Sequence, residues 1–146
     1  MIPPLPPALK DFPLAHLAVA VEQLDRAAPV YRALGFELHE PESIPAQQVR
    51  AQLAVKGELR IELLEPEPAG AGPIGKHLAK RGAGVHHVAL RVKDLKATLM
   101  ELEAAKVKSL PGYPSQGLGG SWVAFLDPKS TWGVLYELVE ATQVHA

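Results

Sequence analysis

Cysteine is absent from the 146 residues, which rules out disulfides, thiolate zinc sites and thiol nucleophiles. Charge of one sign is also absent: the formal net charge is −1, so no field favours nucleic acid or an anionic membrane surface. No apolar run approaches the roughly 20 residues of a membrane helix. The opening Met1-Ile-Pro-Pro-Leu-Pro-Pro7 lacks the basic start and apolar stretch of a secretory signal. Its prolines favour an extended, polyproline-like lead-in over 1–12. A cytoplasmic protein with neither nucleic-acid nor membrane partners is the expectation. The length suits one domain, expected over 13–142.

What the chain does have is an internal repeat. His16-Leu-Ala-Val-Ala-Val21 is echoed by His87-Val-Ala-Leu-Arg-Val92, and Leu24/Leu95 and Ala33/Ala104 keep the same offset. Ile61-Glu-Leu-Leu-Glu65 is echoed in turn by Tyr136-Glu-Leu-Val-Glu140. Each half therefore carries a His and, further on, a Glu: His16 with Glu62, His87 with Glu137.

The alternation in both His segments has strand period, with Leu17, Val19 and Val21 on one face and His16, Ala18 and Ala20 on the other. The small residues on the His face predict room above the sheet. A helix is expected from about Asp25, as N-cap, to Leu34, with Gly35 ending it and Pro29 near its first turn or bending it. A second helix follows Asp94 with Leu95, Leu99 and Leu102 on one stripe. Further strands are expected over 49–55, 59–64, 122–126 and 134–139, with a tight turn at Lys56-Gly57-Glu58. Pro73 to Arg81 reads as a short helix ended by Gly82. The fold class is α+β: two tandem βαβββ units, about 13–66 and 84–142, joined by a helix over about 73–82, whose curved mixed sheets surround a cleft.

Glu62 and Glu137 interrupt apolar strands, and a buried carboxylate needs a cation to offset its desolvation. Arg60, Arg91 or a solvent-facing strand edge would answer for them. A divalent metal would too, because imidazole nitrogen and carboxylate oxygen together suit Co²⁺, Zn²⁺, Mn²⁺ or Ni²⁺. His39, His77, His86 and His145 are expected at the surface or just behind the ligands, with His86, beside the repeat, the one nearest the site.

From about Leu14 to Glu140 the chain resembles the vicinal oxygen chelate superfamily, of glyoxalase-like fold, and within it the methylmalonyl-CoA epimerases. The resemblance rests on the two His segments, Ile61-Glu-Leu-Leu-Glu-Pro66, the Pro73–Gly82 helix, Gly84-Val-His-His-Val-Ala89 and the run Phe125–Glu140 with its Pro128-Lys-Ser-Thr. It implies that His16, Glu62, His87 and Glu137 bind a divalent metal, most often cobalt, with His87 chosen over His86 because it aligns with His16. It implies a homodimer acting on an acyl-CoA, in which a metal-stabilised enolate links the 2R and 2S forms of methylmalonyl-CoA. Glu137 is the implied acid/base.

The chain also departs from that family. Where its members carry glutamate before or early in the second strand, Ala46 and Ala51 stand here; Gln47 and Gln52 are the polar neighbours, and an amide shuttles protons poorly. The glycine loop reads Gly117-Leu-Gly-Gly-Ser121 in place of one with His and Lys. Lys129 and Ser130 remain, with Ser121, as substrate contacts; Trp122 and Trp132 are bulky additions that fit core or dimer packing, or a reshaped pocket. Lys76, Lys80, Lys106 and Lys108 are scattered and offer no single phosphate cradle. A glyoxalase-I-like lyase, an extradiol dioxygenase and a metal-free small-molecule-binding protein are the competing readings.

Overall fold

The structure, a computed structural model, describes residues 14–117 and 120–140. The proline-rich stretch 1–12, the domain limits at 13 and 142, Gly119 and His145 fall outside the described residues. The described residues divide into two compact units, one spanning His16–His87 and the other made of Val88–Glu140 with Leu14 and Ala15.

The first unit begins with β1 (Leu14–Ala20) and α1 (Leu24–Ala33), followed by β2 (Glu37–Leu38), β3 (Glu42–Ile44), β4 (Val49–Lys56), β5 (Leu59–Pro66) and α2 (Gly72–Arg81). β1 runs parallel to β5, with Ala18 opposite Glu62. β4 and β5 form the expected hairpin, closed where Lys56 meets Leu59, and Gly57 turns it at φ 59°. β2 and β3 lie antiparallel to β4. The apolar face of β1 packs as its alternation predicts: Val19 and Val21 meet Leu24, Ala27 and Tyr31 of the helix and Leu63 of β5.

α1 starts at Leu24, and Asp25 is not its N-cap. Gln23 holds that position without a side-chain bond. The first helical N–H, that of Leu24, instead donates to Glu65 Oε1 at 3.0 Å. A carboxylate delivered from a distant strand leaves no local capping signature, which is why the sequence pattern pointed two residues too far. Pro29 lies inside the helix, where it cannot donate to the carbonyl four residues back.

The second unit contains β6 (Gly84–Val92, from Val88), α3 (Leu95–Ala104), β7 (Ser115–Gln116), β8 (Trp122–Phe125) and β9 (Tyr136–Glu140). β6 runs parallel to β9, with Ala89 opposite Glu137; β8 is antiparallel to β9 and β7 to β8. Val92, Leu95, Leu102, Ala124, Leu126 and Leu138 form its core. Asp94 caps α3 as expected, accepting from Ala97 N at 3.0 Å. Glu140 Oε2 adds a second bond, from Leu95 N at 2.9 Å. The last strand starts at Tyr136 rather than Val134, because the Val134 carbonyl is held in the loop by Thr131 Oγ1 at 2.6 Å.

Both units thus follow one plan, strand then helix then further strands, and the α+β class holds. The strands β2, β3 and β7, only two or three residues long, carry too little pattern to be read from sequence. Gly75 of α2 is fixed by close approach: a Cβ there would lie 2.2 Å from the Gly70 backbone. No helix among the described residues is long and apolar enough to cross a membrane.

Candidate metal centre and active site

Each His–Glu pair follows from strand register. In β1, His16 and Ala18 share a face, and Ala18 lies directly opposite Glu62 on β5. Ala18 is fully buried, and its methyl group leaves the space through which His16 reaches diagonally to the glutamate. His16 Nε2 lies 3.4 Å from Glu62 Oε2. The answer to the buried Glu62 is therefore His16, while Arg60 and Arg91 are exposed. Ala20, on the same face, is fully buried as well.

β6 repeats the device. His87 and Ala89 share a face, Ala89 is fully buried, and Glu137 lies opposite it on β9. His87 and Glu137 are each 5% exposed, against 6% for Glu62. Neither glutamate reaches water at a strand edge.

A line of histidines extends from His16 within the first unit. The rings of His16 and His87 stand edge-on with centroids 5.6 Å apart. His86 Nδ1 lies 2.8 Å from His87 Nδ1, and the His86 ring in turn meets His77 of α2 at 5.0 Å. One ring of the 86–87 pair must donate to the other. With the proton on His87 Nδ1, the lone pair of its buried Nε2 faces away from His86, which suits a metal ligand. His77, expected at the surface or just behind the ligands, is half-buried in this line.

A buried and a half-buried imidazole with a buried carboxylate in one unit, and an equivalent buried carboxylate in β9, are the donor types that divalent cobalt, zinc, manganese and nickel share. The residues fit such an ion. Glu137 has a further neighbour that the sequence did not reveal, the half-buried Tyr113. Its phenol is pushed above its ordinary value by burial and then by the negative charge of Glu137.

The remaining candidates are placed as follows. Gln52 is buried, and its amide donates to the His39 carbonyl at 2.9 Å. Gln47 ends a 3₁₀ turn over Pro45–Gln47 and is half-buried. Ala46 is exposed and Ala51 buried, so neither adds a titrating group. Ser121 sits at the close of the glycine loop, where its carbonyl accepts from Gly117 N at 2.8 Å. Lys129 is exposed on the loop between β8 and β9, and Ser130 Oγ in that loop donates to the Asp127 carbonyl at 3.0 Å.

Residues 15–125 match the model of the Glyoxalase/Bleomycin resistance protein/Dioxygenase superfamily. The chain belongs to this superfamily. Among its members, mouse mitochondrial methylmalonyl-CoA epimerase is 35% identical over 129 residues, 88% of this chain and 72% of that protein. The ethylmalonyl-CoA/methylmalonyl-CoA epimerase of Cereibacter sphaeroides is 38% identical over 128 residues, 86% of this chain and 95% of that protein. A solved methylmalonyl-CoA epimerase in complex with methylmalonyl-CoA and NH₄⁺ superposes with a TM-score of 0.83 at 35% identity, covering 91% of this chain and 96% of its own. The superfamily's glyoxalase-like fold is accordingly the fold of this chain, and its epimerase members are the relatives it resembles over most of its length.

Proposed function

We propose that this protein is a metal-dependent epimerase interconverting the 2R and 2S forms of methylmalonyl-CoA. The observation that carries the reading is the device each unit repeats: His16 stands 3.4 Å from the buried Glu62, and the buried His87 stands two residues before Ala89, which lies opposite the buried Glu137. These two histidines and two glutamates are the proposed ligand set. Acyl-CoA as the substrate class draws on the epimerase relatives, one of them solved with methylmalonyl-CoA bound.

The chemistry suits these residues. C2 of methylmalonyl-CoA lies between a thioester and a carboxylate, and its proton leaves only when charge on those groups is stabilised. A bound divalent cation, Co²⁺ first and Zn²⁺, Mn²⁺ or Ni²⁺ as alternatives, would supply that stabilisation as a Lewis acid. His16, His87 and Glu62 hold the ion in this reading, and His86 fixes the orientation of His87. Glu137, with two carboxylate oxygens, both contributes to the set and exchanges a proton with C2. Tyr113 keeps its phenol protonated beside it. Inversion needs a second proton transfer on the opposite face. Gln47 and Gln52 are the polar groups in the stretch where related enzymes carry a carboxylate; we assign them hydrogen bonding rather than proton transfer, since Gln52 already serves the His39 carbonyl. Lys129, Ser130 and Ser121 are the proposed substrate contacts. One domain over about 13–142, a homodimer and a cytoplasmic location complete the proposal.

The direct test is conversion of 2S-methylmalonyl-CoA by the purified, cobalt-loaded protein, followed by chiral separation. Approach to an equal mixture of 2R and 2S supports the proposal. No conversion, with turnover of a thiol–methylglyoxal adduct instead, would replace it with the lyase reading.

A further inference from the structure

Trp132 is 99% exposed, although it is the largest apolar side chain the chain has to bury. It is neither core nor half-covered. Its backbone is unusual too, at φ 60°, a left-handed conformation that bulky residues rarely adopt. The loop holding it is tied down. Lys129 N donates to Asp127 Oδ1 at 2.9 Å, Gly133 N to the Pro128 carbonyl at 2.8 Å, and Thr131 Oγ1 to the Val134 carbonyl at 2.6 Å. A hydrogen-bonded loop therefore presents an exposed indole at a positive φ, and strain of this kind concentrates where ligands are clamped.

The surroundings identify what the indole faces. Pro128, Lys129, Trp132 and Gly133 line an open cavity beside it. Lys108 joins the same loop through its backbone: its N–H donates to Ser130 Oγ at 3.2 Å, and its carbonyl accepts from Asp127 N at 2.7 Å. Lys108, one of the lysines scattered in the sequence, is thus tied by its backbone to the loop that carries Lys129, and both lysines are exposed. The loop runs directly into β9, and Glu137 follows Trp132 by five residues. At about 3.3 Å per residue that is at most about 17 Å, a distance an extended pantetheine arm covers.

We propose that Trp132, with Lys129 and Lys108, forms the site for the nucleotide end of coenzyme A: the adenine ring stacks on the indole and the phosphates face the two lysines. Stacking on an aromatic platform needs no base-specific contact, and the lysines act as point charges toward phosphate. The inference rests on the acyl-CoA reading and locates the part of the substrate that the chemistry at C2 does not touch.

The test compares wild type, Trp132→Ala and Trp132→Phe with methylmalonyl-CoA and with the truncated methylmalonyl-pantetheine, which lacks the nucleotide. The expected result is a KM for methylmalonyl-CoA about tenfold higher in Trp132→Ala, with kcat unchanged and most of the loss recovered by Phe. The KM for the pantetheine thioester is expected to be the same in all three. Equal KM values for methylmalonyl-CoA, or an equal rise with both thioesters, overturns the proposal. So does a Trp132→Ala protein that changes only its sedimentation, since the indole would then cover a second copy of the chain. If wild type turns over neither thioester, calorimetry with 3′,5′-ADP separates the two readings. Binding by wild type that is lost in Trp132→Ala sustains the nucleotide site while the epimerase reading falls. No binding by wild type overturns the nucleotide site as well.

Discussion

The two units solve one geometric problem in the same way and then diverge. In both, a histidine stands two residues before a fully buried alanine, and that alanine lies opposite a buried glutamate on the parallel neighbour strand. In both, the second glutamate of the same strand accepts from the first N–H of the unit's helix: Glu65 from Leu24, Glu140 from Leu95. One strand thus fixes the candidate ligand with one glutamate and the helix start with another, so ligand placement and local stability are tied together. The differences lie around the glutamates. Glu62 has a histidine at 3.4 Å, while Glu137 has the phenol of Tyr113 in its field. Only the second unit carries an exposed tryptophan loop running into its ligand strand. The repeat is kept where a metal would be held and lost where a substrate would enter.

If Glu137 is the acid/base and Glu62 only a ligand, the two glutamates must fail differently. Glu137→Gln is expected to lower turnover of methylmalonyl-CoA by at least about a hundredfold, the scale of a lost proton-transfer group. Unchanged turnover would remove Glu137 from the chemistry. The next largest effect tests the histidine line that only the first unit has. His86→Phe is expected to weaken cobalt affinity about 10–100-fold in calorimetric titration, and His86→Asn, which restores an acceptor, to recover part of it. Equal affinities in all three proteins would leave His86 without a role at the metal. Glu62→Gln keeps an oxygen donor and is expected to cost less than about tenfold in turnover, with a measurable loss of metal affinity. A loss as large as that of Glu137→Gln would make the two halves chemically equivalent.

The smallest contrast concerns the helix starts. α1 has no side-chain cap of its own, whereas α3 keeps Asp94. Glu65→Ala is therefore expected to destabilise by about 1–2 kcal/mol and Glu140→Ala by about 0.5–1 kcal/mol in urea unfolding. The reverse order would show that the local cap of α3 carries little.

Much of this was legible in the sequence because the repeat carries it. The strand period at His16 and His87, the glycine turn at Gly57, the α2 helix from its proline to Gly82 and the Asp94 cap are local patterns, and the structure reproduces them. Register is not local. That Ala18 and Ala89 face Glu62 and Glu137, and so explain why alanine occupies those places, depends on strands some 45 residues apart in sequence. The Glu65 and Glu140 caps escaped notice for the same reason. The second glutamate of each strand echo was visible, but nothing nearby said what it met. The place of Tyr113 near Glu137 and the tie of Lys108 to Ser130 arise from loop packing, which leaves no periodic trace.

The most direct test of the central claim is proton–deuterium exchange at C2 of methylmalonyl-CoA in D₂O, with added Co²⁺ and with chelator. Metal-dependent incorporation of deuterium by wild type, abolished by chelator and reduced at least about a hundredfold in Glu137→Gln, is the result predicted here. No exchange by a protein that holds one metal per chain would contradict the account, because the four proposed ligands would then serve some chemistry other than proton transfer at C2.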